Sequence, residues 1–506
     1  MDLSMLTATQ IIVTAMVCLL AFVFHKRTHK RSGKNPLPPG PIGFPVVGYI
    51  PFLDKEAPYK SMTDLGTKYG DVFMLQMGSR NVVVLLSYEA IKEAFITKGD
   101  SFNGRPRMVL SDLFSAGRGI VFSTFNEAYK EQRNFAVSGL KRFGWGSSAF
   151  EVNIIREVNG LIETFQHLKG KPFDPFHYVR NSVSNIICSL IFGRRFHPDD
   201  RDFRNLLTTH YRNMKYSGSA AAVNFLPILQ YLPFGNYKRV LENHMYLRDC
   251  QTAMIDKHRQ THNPNDIRDF LDLYIHEIDT RHQKGQSSSF DYDNIRRVAN
   301  ELFTLGTETT STTILWSLLY MITYPDIQRR VQKELFDVLG DRLPTIDDKP
   351  KLPYVEATIL EVQRSACVVP LTVPHCAMED TQLHGYHIPK DTVIMANLWS
   401  VLHDPKHWHN PDEFRPDRFL NDKGEIEKPE TFIPFSTGAR MCLGDQTAKM
   451  ELFLFFSCLM QKFSFSHPEG TPYPSLVGKT GITRSPKSFE VCAVDRETQD
   501  SETDNA

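Results

Sequence analysis

The sequence predicts a mainly α protein with small β-sheets, built as a single globular domain behind an N-terminal membrane anchor. From about residue 120 to 340, apolar residues recur at spacings of three and four, the mark of one amphipathic or buried helix after another. Strand-like runs are confined to two stretches. One centres on Asn81-Val-Val-Val-Leu-Leu86 and the other spans 365–400, including His387-Ile-Pro-Lys-Asp-Thr-Val-Ile394. Length alone would suggest about three domains, but no linker-like stretch divides the chain after its N-terminal region.

Composition narrows the function classes. Lys plus Arg and Asp plus Glu both number 58, so nothing in the charge points to nucleic acid. A hydrophobic fraction of 41% and 35 Phe demand a large core. The eight Cys are scattered without a C-x-x-C pair, which argues for a reducing compartment and no disulfide framework.

The elements follow in order. Met5 to Phe24 carries no charge and is close to the ~20 residues that cross a bilayer. The basic cluster His25-Lys-Arg-Thr-His-Lys-Arg31 comes next and places the rest of the chain on the cytosolic side. A cleaved signal peptide would want positive charge before the apolar run, where only Asp2 stands. Residues 1–31 therefore read as anchor and stop. Residues 32–48, with Asn35-Pro-Leu-Pro-Pro-Gly-Pro41, read as a stiff proline-rich hinge. The folded domain is expected over 49–494, and 495–506 as an acidic disordered tail.

Phe435-Ser-Thr-Gly-Ala-Arg-Met-Cys-Leu-Gly444 is the most informative segment. It precedes the apolar-periodic Met450-Glu-Leu-Phe-Leu-Phe-Phe-Ser-Cys458, a buried helix. Cys442 thus sits at a helix N-terminus, where dipole and free N–H groups favour a thiolate. Gly438 permits a tight turn, Gly444 a close backbone approach to a flat ligand, and Phe435 an apolar wall. Upstream, Leu305-Gly-Thr-Glu-Thr-Thr310 interrupts a helical pattern running from Ile295 to about Tyr320. Gly306 costs about 1 kcal/mol there relative to Ala, and threonine hydroxyls can bond the carbonyl one turn back, so a local opening is expected. Glu308 beside Thr309 offers an acid–alcohol pair able to relay protons. Glu361-Val-Gln-Arg364 pairs acid and base at i and i+3, and Phe414-Arg-Pro-Asp-Arg-Phe419 follows it.

The pattern F-x-x-G-x-R-x-C-x-G, with these companions in this order, resembles the cytochromes P450, and most of all the microsomal drug- and steroid-metabolising class. The resemblance implies the P450 fold and a haem b cofactor whose axial iron ligand is the Cys442 thiolate. It implies insertion of one atom of O2 into an apolar small molecule: a steroid, fatty acid or xenobiotic. Thr309 and Glu308 would manage the protons for O–O cleavage. Arg105, Tyr129, Arg133, His375 and Arg440 would face the haem propionates, with Tyr129 where the family usually has Trp. Glu361, Arg364 and Arg418 would form a buried structural ion cluster. Leu305, in a position usually held by Ala or Gly, would narrow the pocket, and Val368, Val369, Leu371 and Thr372 would line it. No Gly-rich phosphate loop is present, so electrons would come from NADPH through NADPH–cytochrome P450 reductase, with cytochrome b5 as a further candidate donor. Lys130, Lys141, Arg142 and Lys449 would form the basic face that receives an acidic donor. Asn224-Phe-Leu-Pro-Ile-Leu-Gln-Tyr-Leu-Pro-Phe234 would dip into membrane lipid. The location implied is the endoplasmic reticulum membrane, single-pass, with a cytosolic domain. Two alternatives are a haem-thiolate isomerase or dehydratase, disfavoured by the Glu308–Thr309 pair, and a haem sensor without turnover.

Overall fold

The architecture was obtained as a computed structural model that describes residues 10, 14 and 36–496, except 146, 198, 233–234 and 286–287. The long helices are α1 (Pro58–Tyr69), α2 (Glu127–Arg142), α3 (Ser148–His167), α4 (Phe176–Phe192), α5 (Arg201–Ser219), α6 (Asn236–Thr261) and α7 (Phe270–Gln283). They continue with α8 (Tyr292–Thr323), α9 (Pro325–Leu339), α10 (Pro353–Ala366) and α11 (Asp445–Lys462). Helix starts are set locally. Asn126, Asp200, Asp269 and Asp291 cap α2, α5, α7 and α8 by accepting from backbone N–H groups of the first turn.

α8 is the axis of the molecule. Its apolar second half (Ile314, Leu315, Trp316, Leu318, Leu319) is buried with the Phe-rich face of α11 and with α4. Aromatic burial of this kind supplies most of the driving force for folding. The main sheet has the order β1 (Val72–Met77), β2 (Arg80–Leu85), β6 (Val393–Ala396), β3 (His375–Cys376). β1 and β2 form an antiparallel hairpin, with Phe73 opposite Val84, and β2 runs parallel to β6, with Val82 opposite Val393. Small two-stranded sheets join β4 (Thr381–Leu383) to β5 (Tyr386–Ile388), β8 (Lys479–Thr480) to β9 (Arg484–Ser485), and β7 (Phe463–Ser466) to β10 (Cys492–Asp495). The mainly helical reading with small sheets matches this arrangement.

Three expectations are revised. The proline-rich segment does not stand apart as a hinge: Met74 N–H donates to the Pro39 carbonyl at 2.7 Å and His387 N–H to that of Pro36 at 3.0 Å. β10 extends through Asp495, where the tail was to begin, and 497–506 lie outside the described residues. α8 runs unbroken through 305–310. The Thr309, Ser311, Thr313 and Ser317 hydroxyls each donate to the carbonyl four residues back, at 2.7–3.0 Å, without opening the helix. Gly306 has a packing reason instead, because a Cβ there would stand 2.9 Å from Ile187 of α4. The anchor, residues 1–31, lies outside the described residues apart from 10 and 14; among those described, no helix is long and apolar enough to cross a membrane.

Candidate active site

The cysteine loop is fixed before the ligand question arises. Cys442 N–H donates to the Phe435 carbonyl at 3.1 Å, closing the turn, and Gly438 adopts φ +80° with its α-carbon against the Phe95 carbonyl, where a Cβ would collide. The Tyr129 hydroxyl donates to the Ala439 carbonyl at 3.1 Å and Arg133 Nη2 to the Met441 carbonyl at 2.8 Å, so α2 pins the loop from two sides. Cys442 keeps solvent-accessible area although protein surrounds it, so it borders open space inside the molecule. Burial raises its thiol pKa, and the Gly444 N–H that favours the thiolate does not overcome this. The helix N-terminus alone therefore does not make a thiolate; a cation at the sulfur is needed.

α8 carries the other predicted site residues. Leu305, Gly306 and Thr309 retain partial exposure, whereas Glu308 and every residue from Thr310 to Ile322 are buried. The Thr309 hydroxyl donates to the Leu305 carbonyl at 2.8 Å. Glu308 is directed elsewhere. Its Oε1 accepts from Thr483 at 3.1 Å and from Thr312 at 3.5 Å, and Arg180 Nη2 lies 3.9 Å from its Oε2. Burial raises its pKa, with Arg180 opposing. The acid and the alcohol are thus sequence neighbours whose side chains engage different partners.

Basic side chains gather at one edge. Arg440 stacks 3.8 Å above the Tyr129 ring and donates to the carbonyls of Asn103 (3.1 Å), Ile120 (3.1 Å) and Ser123 (2.7 Å). Arg105 donates to the carbonyls of Val121, Val373 and Pro374. Neither forms a salt bridge among the described residues, and burial lowers Arg105 to about 9 and Arg440 to about 10, with repulsion from Arg440 adding to the Arg105 shift. His375 stacks on Phe95 at 4.0 Å, and its Nδ1–H donates to the Phe102 carbonyl at 2.9 Å. Burial and Arg105 hold it well below its usual pKa, so it stands neutral unless an anion faces it. A buried and a half-buried guanidinium without a carboxylate partner among the described residues fit a doubly anionic edge of a flat ligand. The open sulfur and the open face of α8 fit its plane. The residues present therefore fit a haem.

The remaining predicted residues fall as follows. Arg364 donates to Glu361 at 2.7 and 2.9 Å and Arg418 donates to Glu361 at 3.0 Å, all three buried, with the spare donors on the carbonyls of Leu402, His409, Asn410 and Glu413. Val368 and Val369 are half-buried after α10, and Leu371 packs with the sheet cluster of Phe73 and Met395. Thr372 is buried, its hydroxyl accepting from Ala396 N–H at 3.2 Å and so used by β6. Phe435 is half-buried beneath the Lys449 ammonium, which pairs with Asp445 at 2.8 Å; Lys130 pairs with Glu127 at 2.7 Å. Lys141 and Arg142 are exposed at the end of α2. Ile228 and Tyr231 are 69% and 77% exposed.

Sequence reasoning missed Glu301, Arg180 and His210. Glu301 is buried on α8, accepts from Ile120 and Val121 N–H at 2.7 and 3.1 Å, and is pushed up to about 7. Gly119, at φ +75°, makes room for it. A carboxylate two turns before Glu308 on an apolar helix was the available signal. Arg180 and His210 come from α4 and α5, and only the tertiary fold brings them to α8.

A family model described as Cytochrome P450 matches residues 38–493. Cytochrome P450 2U1 of Bos taurus is 38% identical over 511 residues, covering 96% of this chain and 93% of that protein. Cytochrome P450 2U1 of Homo sapiens is 37% identical over 507 residues (95% and 92%), and cytochrome P450 2J2 of Homo sapiens is 40% identical over 485 residues (95% and 96%).

Proposed function

Because the chain belongs to the cytochrome P450 family, and so is a haem b-binding monooxygenase, we propose that it oxygenates an apolar small molecule drawn from a membrane, using electrons relayed from NADPH by a reductase. Steroids, fatty acids and xenobiotics are the substrate classes in view. The single observation that carries the reading is Cys442, accessible at its sulfur on a loop closed by its own N–H bond to the Phe435 carbonyl.

Bound through a thiolate, the haem supplies O2 activation, one oxygen atom entering the substrate and the other leaving as water. The chain's own groups do the rest. Arg105, Arg440 and, once an anion faces it, His375 hold the propionate edge, while Tyr129 and Arg133 act through the loop they pin. Leu305 and Val368 or Val369 bound the substrate space. Thr309 holds a proton at its hydroxyl by turning away from the Leu305 carbonyl. Glu308, kept readily protonated by burial, replenishes it by rotating from Thr483 or through bridging water. Thr309→Ala should lower product formed per NADPH consumed; unchanged coupling removes that role.

A membrane position is supported by exposed apolar residues. Ile42, Phe44 and Val46 are exposed, as are Ile228 and Tyr231, and the two segments that carry them both meet the β1–β2 turn, where Gly78 N–H donates to the Val47 carbonyl and abuts Phe225. With the uncharged Met5–Phe24 segment, this favours single-pass anchoring in the endoplasmic reticulum membrane with the domain cytosolic. Arg133, Lys130, Lys141, Arg142 and Lys449, beside the cysteine loop, favour an acidic donor: the reductase, or cytochrome b5.

The deciding experiment is the spectrum of the reduced protein with carbon monoxide. A strongly red-shifted Soret band, absent in Cys442→Ser, is expected. A band at the unshifted position in the wild type would exclude the thiolate and favour a haem sensor.

A further inference from the structure

α6 and α7 are joined by a turn whose two ends bring together His258, His262, Asp269 and Asp272. We propose that these four side chains form a binding site for a divalent transition ion of the zinc class, remote from the cysteine loop.

Donor atoms of His258, Asp269 and Asp272 all lie within 4.8 Å of one another. His258 Nε2 is 2.8 Å from Asp269 Oδ2, and His262 Nδ1 is 3.8 Å from Asp272 Oδ1. Ligands at ~2.0 Å around a tetrahedral ion stand about 3.3 Å apart, so His258, Asp269 and Asp272 are close to that spacing, and His262, outside that group but 3.8 Å from Asp272, would move in as the fourth ligand. Both carboxylates are buried.

Two further observations separate the cluster from an ordinary ion-pair network. The His262 side chain is only 9% exposed, yet neither ring nitrogen has a hydrogen-bond partner among the described residues. A buried imidazole left in that condition is disfavoured, and it faces Asp272. Meanwhile His258 Nδ1 lies 3.0 Å from the Met254 carbonyl and must donate to it. Its 2.8 Å contact with Asp269 is therefore made by Nε2–H in the metal-free protein; an ion would replace that proton on Nε2, with the ring held by a backbone carbonyl as in a metal-bound histidine.

Asp269 and Asp272 are also held from behind. Asp269 Oδ1 accepts from Asp272 N–H at 2.9 Å as the cap of α7, and Arg268 bridges both oxygens of Asp272 at 2.5 and 2.9 Å. Arg268 is 40% exposed, so it can release Oδ1 to the ion and keep Oδ2. Two imidazoles and two carboxylates suit zinc better than magnesium, which favours six oxygens. The ion would tie the last turn of α6 to the first turn of α7 and steady α6 against α5 and α8.

The test uses untagged, haem-loaded full-length protein, stripped with chelator and titrated with Zn2+ by calorimetry, alongside His262→Leu and Asp269→Asn. Asparagine preserves the helix cap, and both variants are checked by their carbon monoxide spectra. The wild type should take up one equivalent and unfold at a higher temperature with Zn2+ but not Mg2+. Each variant should bind about 100-fold more weakly or worse and lose the thermal shift. No stoichiometric uptake by the wild type would overturn the proposal, as would equal binding by wild type and both variants. The readout is independent of turnover.

Discussion

Replacing Arg105 with Met should loosen the haem while leaving the haem-free fold nearly as stable as before. Burial lowers the guanidinium from 12.5 to about 9, and Arg440 adds repulsion. At 1.36 kcal/mol per pKa unit, holding that charge costs the haem-free protein on the order of 5 kcal/mol at neutral pH. Met fills a similar volume and removes this cost. It also removes the hydrogen bonds to Val121, Val373 and Pro374, worth ~0.5–1.5 kcal/mol each. The two effects oppose each other at similar size. An anionic propionate paired with Arg105 contributes ~1.5–3 kcal/mol, so its loss should speed haem release about 10- to 150-fold. Transfer to excess apomyoglobin, followed at the Soret band, measures the rate; urea unfolding of haem-free protein measures the fold. Haem release at the wild-type rate from folded R105M would remove Arg105 from the propionate edge. A loss of several kcal/mol in the haem-free protein would make it a structural strut instead.

Glu301→Gln should change how stability depends on pH. Glu301 is raised in the fold from 4.5 to about 7, so its stabilising contribution is complete below pH 4.5 and lost as pH rises through 7. Relative to wild type, E301Q should therefore gain about 3 kcal/mol between pH 4.5 and 8; parallel urea-unfolding curves at the two pH values would refute this. Glu361→Gln leaves Arg364 and Arg418 buried without a counter-charge and should destabilise by ~3–5 kcal/mol, measured by urea midpoint, with a loss under ~1 kcal/mol contradicting the role. Gly438→Ala forces a Cβ at φ +80° against the Phe95 carbonyl; strain of ~1–3 kcal/mol should reduce the red-shifted carbon monoxide band, and a full band would mean that the loop can move.

What the sequence made legible was local. The cysteine loop occupies consecutive positions, its turn needs a glycine at one of them, and the helix behind it is visible in its own periodicity. Glu361 and Arg364 share one helical turn, so their pairing needs no knowledge of the fold. What stayed hidden depends on direction or on distant chain. Neighbours on a helix point about 100° apart, so Glu308 and Thr309 face different surroundings despite their adjacency. Gly306 is explained by Ile187, more than a hundred residues earlier, rather than by the helix it interrupts. Arg105 and Arg440 read alike as free cations, yet each already has backbone carbonyls to serve. His262 carries no signal at all until α7 folds back to place Asp272 beside it.

The division of α8 into faces bears on how the reaction is protected from wasted electrons. Leu305 and Thr309 keep partial exposure on one face, and in the proposed site Leu305 would add apolar bulk where water would otherwise approach. The face with Glu308 is closed by Thr483, Thr312 and Arg180, whose Nε and Nη2 have no hydrogen-bond partner and whose guanidinium lies 3.9 Å from the Tyr211 ring. A carboxyl exposed directly beside the oxygen site would supply protons whether or not substrate was bound. Held one face away, Glu308 would in the proposed relay supply them only after a side-chain rotation or through water admitted between the two residues. The barrier to that movement, together with the pKa that burial raises and Arg180 lowers, would then govern proton entry.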